Sequence, residues 1–465
     1  MAGNFHLSVM VPLLGSSLPL GYGLGIMNSP QIIIRKWIQE TLIIKYDLHL
    51  TEHQEVSLWA IIVSIFLVGS MIGAVMGAPL VHRIGRRRSF LLNHMNCLIG
   101  SMVFVFSKYF QMVEMLLIGR FVLGISAGLA GSIVPLYLSE VSPKHLNGVM
   151  AVMHRFALTM GMTLSMVFGM EVVIGTEDHW PYLACVTAAC ALMAICLHPL
   201  MIESPVYSFI VLKDNENGQS LISHLHKGHD KIQIVKEEKM KMVKDLNETE
   251  SNKKGESELK TKEVLRSSSL RLQLIIISIL FINQPFSGMN GCVAYANIIF
   301  RSAGLSQRHS EMASIFATTI NCLMSIVSMP LIKKLSRRCL LFSSMLGCIL
   351  CLATLLTSLN YISSVSHVAA YIAIAAFITY FIFYAYGIGA IPFVVAAELL
   401  PPNAKPVIMS LGNGAYWTST LLASVAFPIL QKILGEFSLL CFIAPCILNG
   451  IFFYYFLPET LKSVE

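Results

Sequence analysis

Apolar runs set the rhythm of this chain, and polar residues fall mainly between them. Stretches of about 20 residues that are nearly free of Asp, Glu, Lys and Arg recur from the N-terminal end onward. A hydrocarbon core about 30 Å thick needs roughly 20 helical residues per crossing. That ruler places spans near residues 8–28, 57–81, 90–107, 114–137, 149–173 and 180–201, then 271–300, 309–332, 339–359, 366–396, 406–431 and 437–457. The count is twelve, six on each side of a polar stretch at 203–268. This stretch contains DKIQIVKEEKMKMVKDLNETESNKKGESELKTKEVL, which is too charged to cross a membrane. Its Lys and Glu at helical spacing predict short amphipathic helices on the membrane surface, followed by a flexible segment around NETESNKKGES. A plain solvated linker and a partner-binding segment both fit that composition. The pattern therefore predicts an all-α polytopic membrane protein with twelve transmembrane helices. An N-terminal six-helix bundle is expected at 1–202, a cytosolic linker at 203–268 and a C-terminal six-helix bundle at 269–465.

Composition narrows the class further. Only 13% of the 465 residues are charged and 55% are hydrophobic, which excludes a large soluble protein. The net charge of +7 comes from Lys and Arg between the apolar runs, so it reads as topology and lipid contact, not nucleic-acid binding. HRIGRRR at 82–88, PKHLNG at 143–148, the central stretch and KKLSRR at 333–338 alternate with basic-poor loops. The positive-inside rule then puts these loops and both termini in the cytosol. The credible sequon, Asn247-Glu-Thr, falls on the same side and is expected to be unmodified. Eleven cysteines lie scattered, mostly within apolar runs and without metal-ligand spacing, and read as packing thiols. No cofactor is expected. The first apolar run lacks a preceding basic region and continues into GYGLGIMNSPQ, so it reads as a first span and not as a cleaved signal.

The two halves repeat each other. RIGRRR near 83–88 answers KKLSRR near 333–338, SEVSP at 139–143 answers AELLPP at 397–402, and ESPVY at 203–207 answers PET at 458–460. All three pairs recur at about 250 to 258 residues. Parallel repeats of six helices typify transporters that rock around a site near the bilayer midplane. One chain then contains both moving halves, so a monomer suffices for transport, and the oligomeric state stays open.

Seven motifs in order, GYGLGIMNSPQ (21–31), RIGRRRS (83–89), GRFVLGISAGLAGSIVPLYLSEVSP (119–143), ESPVY (203–207), NQPFSGMN (283–290), GIGAIPFVVAAELLP (387–401) and LPET (457–460), carry a family likeness across essentially the whole chain. The sequence resembles the sugar-porter branch of the major facilitator superfamily, and within it the facilitative hexose transporters. That resemblance implies alternating access of a small sugar or polyol by two rigid bundles in a lipid bilayer, without covalent chemistry. It also implies a plasma-membrane location and a salt-bridge network at the cytosolic gate. Arg86, Arg87, Arg337 and Arg338 match the basic members of that network, Glu140, Glu203, Glu398 and Glu459 the acidic ones, and Arg120 is similar to a further family arginine. Ion pairs of modest strength suit a latch that must break. Asn147 and Ser336 depart from the pattern, where the family has an arginine and a glycine.

In the cavity, sugar hydroxyls donate and accept, so neutral amides are fitting partners and aromatic faces can stack on the ring. By resemblance Gln284, Asn290 and Asn321 are the substrate-facing amides, with Tyr295 and Trp417 as aromatic partners. Helix-to-helix hydrogen bonding is the alternative for the amides. Five positions depart: Pro285 replaces a glutamine, Arg155 a glutamine, Ala385 a glutamate, Phe393 a tryptophan and Tyr416 an asparagine. Arg155 stands out, because a charge at membrane depth is expensive and usually functional. It either pairs within the bundle, reaching carbonyls freed near Pro285 or Gly288, or binds a polyhydroxyl or carboxylate-bearing substrate. His154 points about 100° away on the same helix and reads as a packing histidine. Pro285 and Gly288 are expected to loosen the seventh helix into a gate. Proton-driven relatives carry an aspartate where this chain has Gly23, which favours facilitated diffusion over symport. A transporter-like sensor or non-transporting membrane protein is the remaining alternative. An enzyme is not expected, since no nucleophile and base, metal cluster or phosphate loop stands at catalytic spacing.

Overall fold

The computed structural model describes residues 3–142, 146–225, 259–289, 292, 307–362 and 367–460. Asn290, Tyr295, the Asn247 sequon and most of the linker lie outside the described residues. Among those described, every regular element is a helix. Ten helices are long and apolar enough to cross a membrane: Phe5–Gly25, Glu52–Tyr109, Val113–Val141, Asn147–Phe168, Trp180–Leu200, Ser268–Phe286, Met312–Lys334, Arg337–Asn360, Val368–Leu399 and Lys405–Phe456. Two of these, of 58 and 52 residues, are each long enough for two crossings at 1.5 Å per residue. Twelve spans result, and the chain is a multi-pass membrane protein.

Local chemistry explains where the spans begin and break. The second span starts on a capping box, in which Thr51 accepts from the Gln54 backbone and Gln54 accepts from the Thr51 backbone. It runs into the third across Gly85, whose φ of 83° and ψ of 173° leave the helix. A side chain there would also meet Glu203 Oε2 at 2.8 Å, so glycine is required on both counts. In the first span Leu13–Ser17 widens into a π-helix between two α segments, a feature frequent at functional sites. The tenth span, expected as one run over 366–396, is instead two helices, His367–Tyr386 and Ile391–Leu399, parted by the turn at Gly387–Ala390. Spans eleven and twelve are Lys405–Leu434 and Leu440–Phe456, joined by a 3-10 turn.

The seventh span ends at Phe286, and Gly288 takes a φ of +104°. Pro285 lacks an N–H for the helix ladder and Gly288 turns the chain out of it. The helix therefore breaks where FINQPFSGMN suggests.

One element was not expected. Gln31–Tyr46, between the first two spans, is an amphipathic helix that buries Ile34, Ile38, Thr41 and Leu42. Those positions follow i, i+4, i+7, i+8, the stripe of a surface helix. It is fastened by Arg35 to Glu55 at 2.7 Å and by Trp37 against Trp180 at 5.1 Å.

The hydrophobic core falls into two clusters. One holds Phe66, Phe90, Phe104, Tyr137 and Trp180 from the N-terminal half. The other holds Phe281, Leu352, Phe377, Tyr380 and Phe453 from the C-terminal half. Few buried residues cross over: Trp417 packs with the first cluster, and Ala78, Ala151 and Val152 with the second.

Candidate functional site between the two halves

At the face carrying the basic loops, the arginines and glutamates singled out above are brought together, but within each half. Arg86 grips Glu140 in a bidentate pair, Nε to Oε2 at 2.9 Å and Nη2 to Oε1 at 2.8 Å, with both side chains buried. Glu203 accepts the backbone N–H groups of Arg86 and Arg87, at 3.0 and 3.1 Å. Burial pushes the Glu203 carboxyl above the usual carboxylate range, against the pull of backbone donors and of the Arg86 charge. The C-terminal half repeats this arrangement. Arg337 pairs with Glu398, Nη2 to Oε1 at 2.8 Å, and Glu459 accepts from the backbones of Arg337 and Arg338, at 3.0 and 3.2 Å. Arg87 and Arg338 use their guanidinium groups on the carbonyls of Pro199 and Tyr454. The repeat seen in sequence is thus a repeat of geometry, in which each half clamps its own loop.

Contacts across the halves at this face are of another kind. Asn413 donates to the Gly128 carbonyl at 2.9 Å and to Ser132 Oγ at 3.0 Å. Lys405 Nζ donates to Ala397 O at 2.8 Å in its own half and reaches Ser139 Oγ at 3.5 Å in the other. The approach is close because the facing residues are small: a Cβ on Gly131 would lie 2.8 Å from the Asn413 amide, and one on Gly77 would lie 2.9 Å from Ser410 Oγ. Glu398 faces Gly148 of the other half, 3.3 Å from the position of a Cβ there. Ion pairs brace each half, while mostly neutral hydrogen bonds and small-residue packing join them. Asn413 and Lys405 were not singled out from the sequence, since an amide inside an apolar run and a lysine just before it name no partner.

Other candidates are buried within the spans. Gln284, Asn321 and Trp417 are each 1% exposed. Among the described residues Gln284 Nε2, Asn321 Oδ1, Trp417 Nε1 and the Tyr22 hydroxyl have no hydrogen-bond partner. Such groups are costly in an apolar interior. Aromatic rings cluster around Trp417 and around Phe393. Trp417 packs on Tyr416 at 5.0 Å and on Phe66 at 6.1 Å, and Phe393 lies edge-on to both Phe281 and His154 at 5.1 Å. Tyr380 reaches Ser287 at 3.2 Å, and Ser287 donates to the Gln284 carbonyl at 2.6 Å, which ties the tenth span to the break in the seventh. Asn283 points elsewhere, accepting from Asn449 of the twelfth span at 2.9 Å. It is a packing amide.

Three charged or titratable groups are buried there too. Arg120, expected with the gate network, is not there: Nη1 donates to the Gly23 carbonyl at 2.7 Å, and its guanidinium lies 4.4 Å over Phe66. Its partner is thus the backbone oxygen of Gly23. His154 Nδ1 bonds Ser17 Oγ at 2.8 Å, while its Nε2 is buried without a partner among the described residues. Arg155, on the same helix, is 3% exposed and lies 5.4 Å over the Tyr384 ring, against the Gly389 turn that breaks the tenth span. Among the described residues no group of three or more His, Cys, Asp or Glu is arranged to hold a metal.

Comparison with known proteins places this geometry. The family model described as "Sugar (and other) transporter" matches residues 8–464. The facilitated glucose transporter member 3 of solute carrier family 2 from Canis lupus familiaris is 31% identical over 448 residues, covering 96% of this chain and 88% of that protein. Member 5 from Equus caballus is 30% identical over 454 residues, covering 98% and 89%. Among solved structures, the proton:xylose symporter XylE bound to 6-bromo-6-deoxy-D-glucose superposes with a TM-score of 0.82 at 20% identity, covering 98% of this chain and 97% of that one. The likeness to XylE establishes a major facilitator fold.

Proposed function

The chain belongs to the sugar (and other) transporter family, and on that premise we propose that it carries a hexose or related small polyol across the membrane by alternating access, as a uniporter. One observation carries the reading. Gln284, Asn321 and Trp417 are buried with polar atoms that have no hydrogen-bond partner among the described residues, and Trp417 packs on Tyr416 and on Phe66 of the other half. Hydroxyls that donate and accept suit such groups, and an aromatic wall suits the apolar face of a sugar ring. Asn290 and Tyr295 belong to the same proposed site by resemblance. The Arg86–Glu140 and Arg337–Glu398 clamps keep each half rigid while the cross-half hydrogen bonds of Asn413 and Lys405 release during the cycle. The basic face is assigned to the cytosol together with both termini, and the protein to the plasma membrane.

Uniport rather than symport is supported by Arg120, which meets the Gly23 carbonyl and no carboxylate. The test is uptake by the purified protein in proteoliposomes, with glucose, galactose, fructose, inositol, dehydroascorbate and urate as solutes. Uptake of a member of that panel faster than into empty liposomes, unchanged by a protonophore, is the expected result. Rates equal to those of empty liposomes for all six would remove the transport reading, and protonophore-sensitive uptake would replace uniport by symport.

A further inference from the structure

We propose that the preferred substrate is a hydroxylated monocarboxylate, a sugar acid, with Arg155 as the group that binds its carboxylate; this rests on the transport reading above. Arg155 sits mid-way along the fifth span, 3% exposed, with Nε unpartnered among the described residues. Its guanidinium lies 5.4 Å over the Tyr384 ring, and Nη2 is 3.1 Å from the position of a Cβ at Gly389. Both residues belong to the opposite half, so Arg155 is placed between the halves. Among the described residues no carboxylate faces it: Glu140 and Glu398 are committed to Arg86 and Arg337 at the basic face, and Glu55 and Glu114 pair with Arg35 and Tyr46 at the other.

The chemistry of the group decides the class of ligand. Amides such as Gln284 and Asn321 present both a donor and an acceptor and suit neutral hydroxyls equally well. A guanidinium presents five donors and no acceptor, and it keeps its charge in proteins. Its cation–π contact with Tyr384 recovers only part of the hydration lost on burial. A carboxylate answers with a matching pair of acceptors and cancels the charge. One guanidinium matches one carboxylate; Arg120 already donates to Gly23 O and lies over Phe66, with its own Nε also unpartnered among the described residues. Hydroxyls on the same ligand then meet Gln284 and Asn321, and its ring meets Trp417.

The experiment uses the full-length protein in proteoliposomes with D-glucuronate and D-glucose as probes, and a potassium diffusion potential set by valinomycin. Glucuronate should enter faster than into empty liposomes. Its accumulation should rise about tenfold for each 59 mV of inside-positive potential, as for any monovalent ion, while glucose distribution ignores the potential. Arg155→Gln, checked as monodisperse after purification, should lower the ratio of glucuronate to glucose uptake by more than tenfold. Glucose uptake by the unaltered protein without glucuronate uptake would overturn this proposal and leave the transport reading standing. An unchanged ratio in Arg155→Gln would overturn it as well. If neither probe nor any other solute of the panel crosses, the transport reading falls and this proposal with it. The potential dependence is read on the unaltered protein, so a variant that fails to fold does not rescue the idea.

Discussion

Replacing Asn413 by leucine tests the division of labour at the basic face. The side chain keeps a similar size but loses both of its cross-half hydrogen bonds, to Gly128 O at 2.9 Å and Ser132 Oγ at 3.0 Å. Hydrogen bonds between membrane helices are worth about 0.6 kcal/mol on average and about 1.7 kcal/mol at most. Two of them bound the loss at roughly 1 to 3 kcal/mol. The lower part of that range is favoured, because Ser132 still donates to Ala74 O and the Gly128 carbonyl keeps its place in the helix ladder. Such a loss shifts the balance between closed and open halves by about 5-fold to 150-fold. Hydrogen exchange, read by mass spectrometry on the intact protein in nanodiscs, reports this opening directly. Peptides over 128–142 and 405–413 should exchange faster by that factor, and peptides at the opposite face should not change. Gly131→Ala should do the same from the other side, since its Cβ would lie 2.8 Å from the same amide. The double variant should then add little to either single one. Exchange altered less than twofold, or accelerated equally at both faces, would refute the assignment of these contacts to closure.

Glu140→Gln strands the buried Arg86 guanidinium and should cost about 3 to 5 kcal/mol, visible as a large drop in thermal midpoint. Glu177→Gln, which removes an exposed partner of Lys36, should leave that midpoint unchanged. Gly23→Asp places a carboxylate against Arg120, with only the Phe66 ring to be displaced, 3.1 Å from the Cβ. Uptake by that variant should become sensitive to external pH and to a protonophore, and insensitivity would mean that this position does not govern coupling. Gly288→Ala forces a side chain onto a φ of +104°, with Leu352 Cδ1 at 2.9 Å, and should destabilise the protein by about 1 to 3 kcal/mol in thermal unfolding.

Sequence alone determined the solvent of this chain, the number of its spans and the repetition of its halves. Those properties are written locally: an apolar run of about 20 residues has one economical home, and Pro285 with Gly288 breaks a helix whatever surrounds it. The same local logic, applied to 31–46, would have revealed the amphipathic helix, because its buried stripe is visible in IIIRKWIQETLIIKY. What tertiary structure decided was partnership. Arg86 and Arg337 each close on a glutamate of their own half, Arg120 leaves the gate for the Gly23 carbonyl, and Arg155 lies against Tyr384 without a carboxylate. A charged side chain in a span announces that it needs a partner, but the partner is chosen by which helices pack beside it and at what depth. That choice depends on contacts between residues far apart in the chain, as between Asn413 and Gly128, and periodicity along one helix does not contain it.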